Sequence, residues 1–172
     1  ATLEGMTAEI SDPANEWYCL ARYQQAQVAI GQGDWPGAAR YLEELRRLGH
    51  HYPDSLQEKT EFQLLNAYAS LQKWDAMREL GERLRAKVKD PDRLTNVLYH
   101  LGSAYSALNR PREAYEAFNE ADQLLGQHSP HVEPLRQFQA GVRIKAKSAL
   151  VLAEAMEAWD IAAKGGGEAA AA

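Results

Sequence analysis

Most of what would announce a chemistry is missing from these 172 residues. There is one cysteine, Cys19, so no intramolecular disulfide and no multi-cysteine zinc site can be assembled, and Cys19 reads as a small buried residue. No apolar run reaches the roughly 18 residues of a membrane span. The start, "ATLEGMTAEISDPANEW", has neither a basic beginning nor an apolar stretch, so it does not read as a signal peptide, and a cytoplasmic location is expected. Charge of one sign is not in large excess. With 24 acidic and 19 basic residues the net charge is −5, which argues against a surface built to cover nucleic acid. Hydrophobic residues make up 45%, enough for a real core at this length.

Catalytic and metal-binding patterns are equally scarce. The histidines, His50, His51, His100, His128 and His131, are accompanied by no HExxH and no cysteine pair, and zinc needs three or four converging ligands. "GQGDW" has two glycines but lacks the downstream Lys-Ser/Thr or third glycine of a phosphate loop. "HLGSAYS" is no nucleophile elbow, because Ser103 lacks the flanking glycines and sits in a helical pattern. Glu43, Glu44, Glu113 and Glu116 read as solvated charge. No enzyme activity, cofactor or metal is expected.

What is present is helical periodicity. Leu98, Leu101, Gly102, Tyr105 and Leu108 follow three- and four-residue steps, one face of a helix. "NRP" breaks the run, with Asn109 suited to a helix end and Pro111 to the first turn of the next helix. A second run then follows: Ala114, Ala117, Phe118, Ala121, Leu124 and Leu125. Two helices joined by about three residues lie antiparallel. Gly102 and Ala114 let them approach while Tyr105 and Phe118 fill the space around the contact. The pattern recurs upstream. Turns centred on Trp35, Trp74 and Pro111 stand 39 and 37 residues apart, a period that points to a helical solenoid. Pro53 and Pro91 fall between units.

At this point the chain resembles the tetratricopeptide repeat family. The third unit matches that pattern at Leu98, Leu101, Gly102, Tyr105, Ala114, Phe118 and Ala121, with Pro130 late. The second matches at Leu64, Tyr68 and loosely Leu84, with Leu65, Met77 and Gly81 departing. The first matches in its second helix at Ala38, Leu42 and Leu45. Its first helix has Arg22 and Gln25 where apolar residues are expected, and a one-residue shift to Tyr23, Ala26 and Ile30 restores an apolar face. The expected fold is an all-α, right-handed solenoid of about three helix pairs, 17–52, 56–90 and 93–127. A long capping helix, 132–164, follows, with an N-terminal extension 1–15 and a disordered Gly/Ala tail 165–172. Gly141 stands where the long helix would bend or divide.

The resemblance implies a non-catalytic scaffold or adaptor. Its first helices would line a concave groove for an extended peptide or partner helix, with Tyr23, Gln27, Lys59, Phe62, Asn66, Asn96, Tyr99 and Ser103 on that face. Amides there would bond peptide groups while aromatics bury side chains. The carboxylate clamp of chaperone-binding members is not expected. Only Asn66 matches it; Tyr23 and Gln27 replace its first Lys-Asn pair, and Asn96 and His100 replace its last Lys-Arg pair. "HHYPDS" followed by "RLTNVLYHLGSAY" also resembles bacterial outer-membrane assembly lipoproteins built from such repeats, although Cys19 sits in a helix rather than at a lipidated N-terminus. The alternative is a sensor domain binding a small ligand, or an acidic target gripped by Arg136, Arg143, Lys145 and Lys147 at the start of the last helix. That helix is also long enough to pack on a second copy. The partner is expected to be another protein, without nucleic acid or a membrane span.

Overall fold

A computed structural model describes residues 16–48, 53–128 and 133–169. The expected N-terminal extension, His50, His51, Pro130 and His131 lie outside the described residues. Seven helices are found among the described residues: α1 (Glu16–Gly31), α2 (Trp35–Leu48), α3 (Asp54–Ser70), α4 (Trp74–Lys87), α5 (Pro91–Ala107), α6 (Pro111–His128) and α7 (Glu133–Ala169). The fold is all-α: three helix pairs and a longer last helix. The chain divides into two compact units, up to Leu80 and from Gly81 onward. In the first, α1 packs on α2 and α2 on α3; in the second, α5 packs on α6 and α6 on α7.

The repeat is most exact in its turns. Two residues before each second helix the backbone turns left-handed: Gly33 (φ 75°), Gln72 (φ 54°) and Asn109 (φ 57°). The next residue closes the turn with the same bond, from Asp34 N to Ala29 O (2.8 Å), Lys73 N to Tyr68 O (2.9 Å) and Arg110 N to Tyr105 O (2.8 Å). This six-to-one closure satisfies carbonyls that the ending helix leaves bare. Glycine meets the positive φ without strain, asparagine nearly so, and glutamine at a cost. Asp34 caps α2 by accepting from Gly37 N at 2.9 Å, and Asp90 caps α5 by accepting from Arg93 N at 2.9 Å. Pro91 and Pro111 open their helices, where a missing N–H costs nothing.

A second repeated device ties a first helix to the second helix before it. Tyr68 donates to Glu43 at 3.1 Å, and Tyr105 donates to Glu82 at 2.8 Å. Each ring also carries a cation from the following turn, Lys73 at 5.8 Å and Arg110 at 4.9 Å. Burial, with the Glu43 carboxylate beside it, pushes the Tyr68 phenol up to about 12, so the hydroxyl stays a donor at neutral pH.

In the second unit the core is apolar and tight. A Cβ on Gly102 would stand 2.7 Å from the buried Phe118 ring, and one on Gly81 would stand 2.8 Å from Leu101. Phe118 therefore occupies the space that Gly102 vacates.

The first unit puts both sets of α1 residues inward: Gln25, Ala26 and Ala29 are buried, and Arg22, Tyr23 and Ile30 are half-buried. Partners meet much of this inward polarity, although the buried Gln25 Nε2 has no acceptor among the described residues. Arg22 donates to Gln25 Oε1 at 3.0 Å and to the Tyr18 hydroxyl at 3.2 Å. Its Nε lies 3.2 Å from Glu44 of α2, and Tyr18 also donates to Glu44. Cys19 is fully buried beside them.

The last helix is continuous through Gly141 and runs to Ala169, past the point where the disordered tail was expected. Its proline, Pro134, stands in the first turn, where the missing N–H breaks no ladder bond, and a residue at Gly141 would meet open space. At 1.5 Å per residue its 37 residues span about 55 Å.

Candidate functional site

In the first unit α1 and α3 border a cleft of about 230 Å³ lined by Leu20, Pro53, Ser55, Leu56 and Lys59. Pro53 precedes the first turn of α3, and Ser55, Leu56 and Lys59 follow on its first two turns, so one helix start supplies most of the wall. Leu20, Pro53 and Leu56 give it apolar surface, Ser55 and Lys59 give it a comparable polar share, and Lys59 is exposed. Phe62 and Asn66 stand further along α3, both half-buried. Gln27 of α1 is half-buried, and its amide nitrogen is shielded from water with no acceptor among the described residues.

Tyr23 has a different setting. It packs against the cluster of Tyr18, Cys19 and Leu45, together with Leu48 and Leu56. Burial raises its phenol pKa above the ordinary value, which keeps the ring neutral within that packing.

In the second unit the first-helix positions are largely taken up within the chain. Asn96 is exposed. Tyr99 meets Phe118 edge-on at 6.0 Å and lies 5.2 Å from Phe138 of α7, with the Lys145 ammonium 5.7 Å from its ring. Ser103 donates back to Tyr99 O at 2.9 Å. His100 is covered enough that desolvation lowers its pKa.

The basic start of α7 is likewise engaged. Asp122 of α6 accepts from Arg143 Nε at 2.8 Å and from Gln139 at 2.7 Å. Lys145 also lies over Phe118 at 5.8 Å. Arg143 and Lys145 thus help dock α7 onto α6 and α5. Arg136 and Lys147 are exposed, about 16 Å apart along the helix. Among the described residues no three His, Cys, Asp or Glu side chains are grouped as a metal ion would require, and no helix is long and apolar enough to cross a membrane.

The sequence missed Leu20, Ser55 and Leu56. Their joint lining of a cleft depends on α3 returning beside α1, and spacing along either helix carries no sign of it. It also missed Asp122, an ordinary surface acid until α7 arrives.

The paired helices, the left-handed turn before each second helix and the Tyr–Glu ties are the geometry of a repeated helix-turn-helix unit. A tetratricopeptide repeat family model matches residues 20–55. The chain carries a tetratricopeptide repeat. The match falls on α1 and α2, the pair with the polar Arg22 network, and the same turn closes the other two pairs. Tetratricopeptide repeats are protein–protein interaction modules, and the same framework serves unrelated partners. No curated protein matches the chain.

Proposed function

We propose that the protein is a non-catalytic adaptor that holds an extended peptide of a partner protein against α1 and α3. The observation that carries this reading is the cleft lined by Leu20, Leu56, Ser55 and Lys59. Apolar side chains beside a lysine and a serine suit a peptide offering an apolar side chain next to a carboxylate. The amides of Gln27 and Asn66 then meet peptide groups, and Phe62 adds apolar contact. Asn96, Tyr99 and Ser103 contribute less, because Phe138 and Lys145 already lie against Tyr99. The acidic-target reading loses ground for the same reason: Arg143 is committed to Asp122.

The test is selection from a displayed peptide library, followed by calorimetric titration of the selected peptides. Lys59→Ala is expected to weaken binding about tenfold, the ~1.4 kcal/mol of one charge-assisted hydrogen bond, and Asn66→Ala about fivefold, the ~1 kcal/mol of a neutral one. Asn96→Ala serves as the control and should bind as wild type. Undiminished affinity in both α3 variants overturns the placement.

A further inference from the structure

The last helix has two faces, and only one is used by its own fold. Val142, Ala146, Ala149 and Ala153 are buried, a seam at four- and three-residue steps that packs α7 on its unit. Beyond it, Arg112 of α6 reaches Glu157 at 2.5 Å, and residues 154–164 are all exposed. The other face presents Ile144 (66% exposed), Val151 (65%), Leu152 (48%) and Trp159 (73%) to solvent. Contiguous apolar surface of this kind marks an interaction site.

The arrangement of that face selects its occupant. At about 100° per residue, Ile144, Ser148, Val151, Leu152, Ala155 and Trp159 fall in one strip about 100° wide. Reversing the helix about the midpoint between Val151 and Leu152 maps the strip onto itself. Ile144 exchanges with Trp159, Ser148 with Ala155, and Val151 with Leu152. Two small residues then meet between two large pairs, so the backbones approach closely and the ends fill. Charge follows the same symmetry. The stretch 136–147 carries Arg136, Arg143, Lys145 and Lys147 without an acid, and 154–160 carries Glu154, Glu157 and Asp160 without a base. Lys147 and Glu154 share one flank of the strip, and antiparallel pairing sets each opposite the other.

We propose that α7 docks with α7 of a second copy of this chain, antiparallel, about a two-fold axis between Val151 and Leu152. A self-complementary surface is what a two-fold interface requires. Trp159, seated over the second copy's Ile144, is its largest anchor. The interface is independent of the cleft on α1 and α3, so either proposal can fail alone.

Light scattering on the eluting chain, across a range of loading concentrations, tests it. The expected mass is twice the 19.2 kDa of one chain, returning to 19.2 kDa in Val151→Glu. Lys147→Glu alone and Glu154→Lys alone should each weaken association, and the double exchange should restore it. That rescue uses exposed residues outside the buried seam, so it holds the test even if Val151→Glu disturbs the helix. Ser148→Cys with Ala155→Cys should give 148–155 crosslinks between copies on mild oxidation. A mass of 19.2 kDa at every concentration overturns the proposal and leaves the strip to a different partner. So does a dimer indifferent to Val151→Glu, a failed rescue, or crosslinks that join 148 only to 148.

Discussion

In the third helix pair a glycine lies under an aromatic ring: Gly102 has no side chain, and Phe118 fills the space. In the first pair the corresponding first-helix position is Ala26, and beside it Arg22, Gln25, Tyr18 and Glu44 form a hydrogen-bonded group. The two pairs share one turn geometry and differ in what occupies the interface. The apolar version depends on volume, so any added atom must displace a buried ring. The polar version depends on its hydrogen bonds, and since the buried Gln25 Nε2 already has no acceptor among the described residues, the loss of a further partner is what it tolerates least. One backbone framework accepts both because the close approach is set by the turn and its hydrogen bonds.

Three substitutions sharpen that contrast. Gly102→Leu should have the largest effect, costing on the order of 1–3 kcal/mol through overpacking against Phe118. Thermal unfolding several degrees below wild type would show it, and an unchanged midpoint would contradict the packing. Arg22→Ala should cost about 1 kcal/mol: Glu44 is a third exposed, so water partly replaces its lost partner, while the buried Gln25 Oε1 loses its donor. A double-mutant cycle with Glu44→Ala should recover part of that loss if the two act together. Gln72→Gly should have the smallest effect and the opposite sign. It relieves a left-handed backbone cost of about 1–2 kcal/mol and adds a Gly entropy cost of about 0.5–1 kcal/mol, a net gain of ~0.7 kcal/mol within a range of about 0 to 1.5. The same change at Asn109, whose side chain tolerates that conformation, should do less, and equal gains would remove the strain argument.

The places where the helices break were legible because turn chemistry is local. Trp35, Trp74 and Pro111 mark second-helix starts, and the left-handed residue stands two positions earlier each time. The register of α1 was not legible. A half-buried arginine and a buried glutamine read as a misplaced face until Tyr18 and Glu44 are seen to meet the arginine, and Glu44 lies on another helix. Of the first-helix candidates, Lys59, Phe62 and Asn66 on α3 stand beside or just beyond the cleft, while Tyr23 and Tyr99 proved to be packed within their own units.

The sequence by itself determined the helices, their pairing and the recurrence of the turn, because these follow from apolar spacing, capping residues and backbone hydrogen bonds within a few residues. Only the tertiary structure decided which side chains remain available. Phe138 and Lys145 lie over Tyr99, Asp122 takes Arg143, and the seam of α7 ends at Ala153 while the helix continues. Exposure belongs to the arrangement of helices, since a side chain is covered or open according to which distant segment comes to rest on it.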